Sequence, residues 1–275
     1  MLLQRVITAL VLAPLMLAGI FLLPDFWFRI FIGLIVLFGS WEWANISGFS
    51  QLSARFGVSL VTALVLVSLH CLLPATSHAW LALILVFLVW WVLAIVLVVA
   101  YPKGSGWLKS RGLRLVASLP VFCGFWMGLV WLKAQEQSVL LLTWLMLLVW
   151  GADIGAYFSG RAWGTRKLAP QVSPGKTWAG AYGGVSSAIV VSVLLVHFYL
   201  PAHSWKGWLW VVCLSVAVVA VSVVGDLFES LLKRNRGIKD SSSLLPGHGG
   251  VLDRIDSLCA ATPMFVLLWY VLSVI

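Results

Sequence analysis

Residues 79–101 read AWLALILVFLVWWVLAIVLVVAY, with no charged side chain anywhere in the run. About 20 apolar residues in a helix are enough to cross the hydrocarbon core of a bilayer. Within lipid the backbone must find its hydrogen-bond partners inside its own segment, and a helix provides them. The stretch therefore predicts a membrane helix. Eight further segments approach the same length, at 5–23, 27–47, 57–74, 115–132, 138–160, 178–200, 207–226 and 255–275. The expected fold is an all-α polytopic membrane protein of about nine transmembrane helices, a single integral membrane domain over residues 1–275. Within it, 1–133 reads as mainly scaffold and 134–275 as the catalytic helices and loops.

The whole chain agrees with that stretch. It is 62% hydrophobic and only 10% charged, whereas soluble domains are usually less than half apolar and about a quarter charged. The first apolar run follows Arg5 and reaches Leu23 without a small-residue cleavage site. It reads as a first membrane helix rather than a signal peptide. Trp27, Trp41, Trp80, Trp107, Trp163, Trp178 and Trp205 fall near the ends of the predicted spans, as an interfacial aromatic belt does. Cys71, Cys123, Cys213 and Cys259 are scattered with no CxxC pair, which favours packing over a zinc or redox site. His70, His78, His197 and His203 show no ligand spacing.

The net charge is +9. With nine spans, loops 48–56, 102–114, 161–177 and 227–254 share one side with the N-terminus. That side holds 15 of the 18 basic residues, leaving Arg29, Lys133 and Lys206 on the other. The positive-inside rule makes the basic side cytoplasmic. The charge thus needs no nucleic acid, and none is expected as a partner. Basic residues at such a surface also hold anionic headgroups and phosphates.

Acidic residues number nine, and five of them, Asp226, Glu229, Asp240, Asp253 and Asp256, fall within 31 residues. If the eighth helix continues past 226, then Asp226, Glu229, Ser230 and Lys233 share one face, because residues three and four apart are neighbours. Asp253 and Asp256 open the ninth helix in the same way. Two such clusters suit a hard cation such as Mg²⁺, which favours carboxylates together with phosphates. Helix capping and ion pairs with Lys233, Arg234 and Arg254 are the plainer account. Between the clusters lies KDSSSLLPGHGG, 239–250. Its Pro246, Gly247, Gly249 and Gly250 break a helix and allow positive φ. Such a loop can wrap phosphate oxygens with backbone N–H groups, helped by Lys239 and His248, or can be a solvated basic loop.

A second polar segment is RAWGTRKLAPQVSPGKTWAG, 161–180. Its GKT is not a P-loop, because GxxxxGK[ST] requires glycine where Pro170 stands. Ser173, Pro174, Gly175, Lys176 and Thr177 are predicted to form a turn opening the seventh helix. A helix N-terminus with a lysine and hydroxyls suits phosphate; a Ser or Thr cap with a snorkelling lysine is the alternative. Gly151/Gly155 and Gly180/Gly184 have the GxxxG spacing of close helix contact in lipid. Asp153 and Glu42 sit in or at the ends of spans, where an unpaired carboxylate is costly and suspect. Asp153 can join a cation site or hold Lys176 or Tyr157. Glu42 can pair with a basic residue.

Taken together, the window resembles the signature of the phosphatidate cytidylyltransferases. That signature stands here as Ser230, Lys233-Arg234, Lys239-Asp240, Pro246-Gly247-His248-Gly249-Gly250 and Asp253-Arg254-Ile255-Asp256, in order across 27 residues. The blocks WGAD, SPGKT and GDLFES are also similar to the family, and the likeness covers most of 149–257. The resemblance implies transfer of the cytidylyl group of CTP to phosphatidate, giving CDP-diacylglycerol and pyrophosphate, with Mg²⁺ and room for two metal ions. It implies metal at Asp226 and Asp253, joined or supported by Asp256. Lys176, Lys233, Lys239 and His248 are then expected to hold phosphates, with hydrogen bonds from Ser173 and Thr177 and a cradle at Gly249 and Gly250. Arg234 and Arg254 bind phosphate or pair with aspartates; Asp153, Glu229 and Asp240 give support. CTP, phosphatidate and membrane lipids are the expected partners, with at most a homodimer. The short loops point to a bacterial inner membrane. A lateral opening between the spans at 178–200, 207–226 and 255–275 is the expected lipid route.

Two other readings fit less well. A CDP-alcohol phosphotransferase calls for a DGxxAR segment with paired aspartates, which is not found here. A secondary transporter uses Asp153 and Glu42 as buried carboxylates in glycine-broken helices, but its site belongs near mid-membrane with repeats around it. The acidic cluster here lies at the cytoplasmic edge.

Overall fold

The computed structural model describes residues 2–75, 77–200 and 204–274, with the side chains of 2–7, 9, 273 and 274 left aside. Arg5's side chain and His203 thus lie outside the described residues. Each predicted span is a helix. They are α1 (Leu2–Phe21), α2 (Asp25–Ile46), α3 (Leu52–Leu72), α4 (His78–Val99), a broken span of α5 (Arg111–Val116) and α6 (Ser118–Lys133), α7 (Ser138–Trp163), α8 (Trp178–Tyr199), α9 (Trp205–Arg236) and α10 (Leu252–Val274). Among the described residues, eight of these spans are long and apolar enough to cross a membrane, and α1 adds an apolar stretch over Leu10–Phe21. The chain is an all-α polytopic membrane protein.

Two departures from the sequence reading matter for the site. α9 runs ten residues past the predicted end at 226, to Arg236, so one rod carries Asp226, Glu229, Ser230 and Lys233. Residues 173–177, expected to be a turn, are instead strand β2 (Ser173–Thr177), paired antiparallel with β1 (Lys167–Ala169). Two prolines keep this segment from continuing a helix. Val172, at the ribbon's bend, is buried and anchors it.

α6 is the inner post of the bundle. Every residue from Val121 to Leu132 is buried, the pattern of a helix apolar on all sides. It packs on α2, α4 and α10; at Gly128 a Cβ would come within 2.6 Å of Thr262 on α10. Beside it, Phe228 of α9 is ringed by Trp43, Trp90, Trp91 and Trp107. α7 and α8 lie backbone to backbone. A Cβ on Gly155 would stand 2.6 Å from the Gly183 oxygen, and one on Gly184 would stand 2.9 Å from the Ala152 oxygen. The small residues at Gly151, Gly155, Gly180 and Gly184 thus serve contact between helices.

The predicted basic side is one end of the bundle. There Arg114 donates to the Ser47 oxygen at 2.7 Å, Arg236 to the Asn45 oxygen at 3.2 Å, and Asn235 to the Leu108 oxygen at 3.4 Å. At the opposite end Arg29 holds Asp25 and meets His70, and Lys133 donates to the Ile20 oxygen at 3.1 Å.

Candidate active site

The site is built around the end of α9, which α10, α8 and the ribbon approach from three sides. Gly225 makes the approach of α10 possible: a Cβ there would stand 2.5 Å from the Asp256 oxygen and 2.9 Å from Ala260. Asp226, the next residue, faces the ribbon. Lys176 of β2 places its Nζ 2.7 Å from Asp226 Oδ2, and Ser230, one turn along α9, donates to Asp226 Oδ1 at 3.2 Å. Thr177 is buried and caps α8 by accepting the Gly180 N–H at 3.1 Å. Lys176 is thus tied to a carboxylate rather than snorkelling, while Thr177 serves the helix start. Ser173 is half-buried in the ribbon, opposite Ala169.

These groups line a cavity of about 390 Å³ between α7, β2, α8 and α9. Asp153, Tyr157 and Arg161 come from α7; Lys176 and Thr177 from β2; Ser222 and Asp226 from α9. Ala152, Leu168, Ala181, Val219 and Val223 supply apolar wall. Arg161 donates to the Tyr157 hydroxyl at 3.2 Å. α7, rather than α10, closes this cavity against α8 and α9. The reason is the glycine-rich α7–α8 contact, which brings Asp153 to the same space as Asp226.

A second cluster lies one turn further along α9. Lys233 Nζ stands 2.6 Å from Asp253 Oδ1 and 3.2 Å from Glu229 Oε2. All three side chains are nearly closed off, Glu229 at 2% exposure and Asp253 at 6%. Asp253 Oδ2 accepts three more bonds: from Ser241 N and Oγ, both at 2.9 Å, and from Gly250 N at 2.8 Å. Asp256 Oδ1 accepts the Ser257 N–H at 2.6 Å. Asp226, Glu229 and Lys233 therefore share one face, as the spacing required, with Asp256 lying against Gly225 beside them.

The glycine loop turns one of its amides inward. Gly247 and Gly249 have φ of 76° and 87°, the left-handed turns that the sequence foresaw. The Gly250 amide, however, is directed at Asp253 rather than outward. Gly249 accepts the Leu245 N–H at 2.8 Å. His248 is half-buried, and its Nδ1 is enclosed with no hydrogen-bond partner among the described residues. Lys239, Asp240, Arg234 and Arg254 are exposed, and Arg234 donates to the Val172 oxygen at 3.3 Å, pinning the ribbon to α9.

Glu42 is the residue whose setting the sequence does not foretell. It is fully buried and accepts four hydrogen bonds from residues 241–252; the expected basic neighbour is Arg55, which feels its charge without forming a direct ion pair. An acidic residue inside an apolar span is the available signal; its partners lie about 200 positions away and leave no local trace.

A hard cation sets its own demands on these carboxylates. Among the described residues, no three His, Cys, Asp or Glu side chains are gathered to hold a metal ion. Mg²⁺ commonly takes one or two carboxylates and completes its shell with water and substrate phosphates. Asp226, with a side chain 31% exposed, fits that mode across the cavity from Asp153. Asp253 fits it only where Lys233 gives way.

Comparison with known proteins follows the same lines. The family model described as Cytidylyltransferase family matches residues 3–272. A phosphatidate cytidylyltransferase of Pseudomonas aeruginosa is 50% identical over 270 residues, covering 98% of this chain and 97% of that protein. One from Haemophilus influenzae is 41% identical over 288 residues, covering 98% and 99%. One from Brucella suis is 42% identical over 176 residues, covering 63% and 61%.

Proposed function

The chain belongs to the cytidylyltransferase family, and we propose that it transfers the cytidylyl group of CTP to phosphatidate in phospholipid synthesis. The observation that carries this reading is the cavity where Lys176 and Asp226 meet at 2.7 Å beside Asp153, bounded by apolar wall from three membrane helices. Such a space suits a headgroup that must be polar at one end and remain in lipid at the other.

The chemistry makes modest demands. An oxygen of the phosphatidate phosphate bonds to the α-phosphorus of CTP. The bond from that phosphorus to the bridging oxygen breaks, and pyrophosphate leaves with the electron pair. The nucleophile is already an anion, so no strong base is needed. Repulsion between phosphates is the barrier, and fixed cations that align the two substrates lower it.

Lys176, partly exposed at the cavity wall, is suited to the reacting groups inside the cavity. Arg161 stands at the same wall. Lys239, Arg234 and Arg254, all exposed, are suited to receive the triphosphate from water, together with half-buried His248 of the intervening loop. Lys233, held by Glu229 and Asp253, keeps the two acidic helices in register. When bound, Mg²⁺ would neutralise phosphate charge, and Asp226 is the residue suited to hold it, with Asp153 in support. Residues 134–275 carry these groups, and 1–133 serve as scaffold. We assign the site to the cytoplasmic face of a bacterial inner membrane, where 15 of the 18 basic residues gather.

The test is pyrophosphate release by purified protein in detergent micelles, with CTP, phosphatidate and Mg²⁺, omitting each in turn. Release that requires both substrates, with the cytidylyl group recovered on lipid, is the expected result. Folded protein that releases none in several detergents and lipids overturns the reading.

A further inference from the structure

Glu42 stands on α2, far in sequence from the residues that line the cavity, and is 0% exposed. A buried carboxylate is costly unless charge or hydrogen bonds compensate it. Here the direct compensation is four neutral donors, with the Arg55 charge acting from beyond ion-pair reach. Ser241 Oγ donates to Oε2 at 3.1 Å and Ser242 Oγ to Oε1 at 2.5 Å; Val251 N donates to Oε1 at 3.0 Å and Leu252 N to Oε2 at 2.7 Å. The last two are amides at the start of α10, where a helix presents unpaired N–H groups and positive potential.

One of these donors is shared. Ser241 Oγ lies 3.1 Å from Glu42 Oε2 and 2.9 Å from Asp253 Oδ2, yet a hydroxyl has one proton to give. Ser241 is itself wholly buried, so no outside water relieves the competition. The chain of groups continues from Asp253 to Lys233 at 2.6 Å. Gly250 lies inside the same knot: a Cβ there would run into Ser241 Oγ and stand 2.5 Å from Glu42 Oε1. The loop can close on α2 only because this position has no side chain.

We propose that Glu42 is a positioning residue for cytidylyl transfer. It draws residues 241–252 onto α2 and, through the shared Ser241 hydroxyl, sets the Asp253 carboxylate and with it Lys233. The proposal rests on the reaction assigned above. A plain cap on α10 would support stability alone; a positioning residue acts on turnover through Ser241 and Asp253.

The test uses the full chain in detergent as E42Q, S241A and the double variant. It measures kcat and KM for each substrate, together with backbone amide exchange across 241–252. In E42Q one oxygen becomes an NH2 group facing other donors, so the loop loses its hold. Expected are a fall in kcat of at least about tenfold with a phosphatidate KM little changed, and faster exchange in 241–252 but not in α6. S241A should fall less, and the double variant should be no worse than E42Q, because both act on one oxygen of Asp253. A folded E42Q with wild-type kcat, additive losses in the double variant, or unchanged exchange would each overturn the proposal. Should E42Q not fold, S241A decides, since it keeps the other three bonds to Glu42; wild-type kcat there overturns it equally. Wild-type protein that releases no pyrophosphate defeats the reaction assigned above instead, and the exchange measurement then judges the clamp by itself.

Discussion

Lys176 Nζ and Asp226 Oδ2 stand 2.7 Å apart, joining a two-stranded ribbon to a membrane helix at the wall of a cavity. Both side chains remain partly open, at 25% and 31% exposure. A partly solvated pair adds little to stability, so its value lies in presenting opposite charges to a ligand. K176M and D226N are each expected to lower kcat/KM for CTP and phosphatidate by about 10²–10³-fold, the usual scale for removing one preorganised charge from a transfer site. Thermal unfolding in detergent should move little in either variant. Steady-state pyrophosphate release with both substrates varied is the measurement.

Lys233 should behave differently. Its ammonium lies between Glu229 and Asp253, all nearly enclosed. Removing one member of a buried ion pair leaves an uncompensated charge and costs about 3–5 kcal/mol. K233M should therefore lower the unfolding temperature clearly where K176M does not, and E229Q added to K233M should restore part of the loss. Calorimetry or a thermal-shift assay on the three proteins in one detergent checks the order.

Much of this arrangement is legible in the chain, and what is not has a common cause. Membrane helices announce themselves by composition over about 20 residues, so α2 to α10 can be placed from local sequence. The acidic and basic residues of 226–256 are local too, and helical spacing correctly puts Asp226, Glu229 and Lys233 on one face. The ribbon at 167–177 is not legible, because strands of three and five residues, the second containing Pro174, are too short to show a period. Nor is the bond from Glu42 to Leu252, which spans 210 positions and exists only once α2 and α10 pack. The cavity wall from α7 is hidden for the same reason: it depends on how closely Gly155 and Gly183 allow two helices to approach.

Gly225 offers a test of that closeness at the site itself. Its missing Cβ leaves room for the Asp256 oxygen and Ala260, which would otherwise stand 2.5 and 2.9 Å away. Neither neighbour is a flexible side-chain end, so G225A must push α9 from α10. Overpacking of this kind costs about 1–3 kcal/mol, and here it also shifts Asp226 relative to Asp256. Both unfolding temperature and kcat should fall. Gly57 on α3 is the control: a Cβ added there would meet nothing within 4 Å, and replacing an open helical glycine by alanine gains about 0.5–1 kcal/mol. G57A should be as active as wild type and at least as stable.

Ser192 separates stability from activity in the opposite direction. Its hydroxyl accepts from Trp144 Nε1 of α7 at 2.8 Å and lies at hydrogen-bond distance, 2.8 Å, from Ser215 Oγ of α9. All three residues are fully buried. In S192A, Ser215 keeps its bond to the Val211 oxygen at 2.8 Å, whereas the Trp144 indole loses the acceptor it has here. Hydrogen bonds between membrane helices are worth about 0.6 kcal/mol on average and up to about 1.7. An enclosed indole left without a partner places S192A toward the upper figure. The knot lies away from the cavity, whose lining residues on α8 end at Gly184. S192A is therefore expected to unfold a few degrees lower while kcat and both KM values stay at wild-type levels. A loss of turnover without a loss of stability would mean that α7 and α8 transmit strain to Asp153 and Lys176.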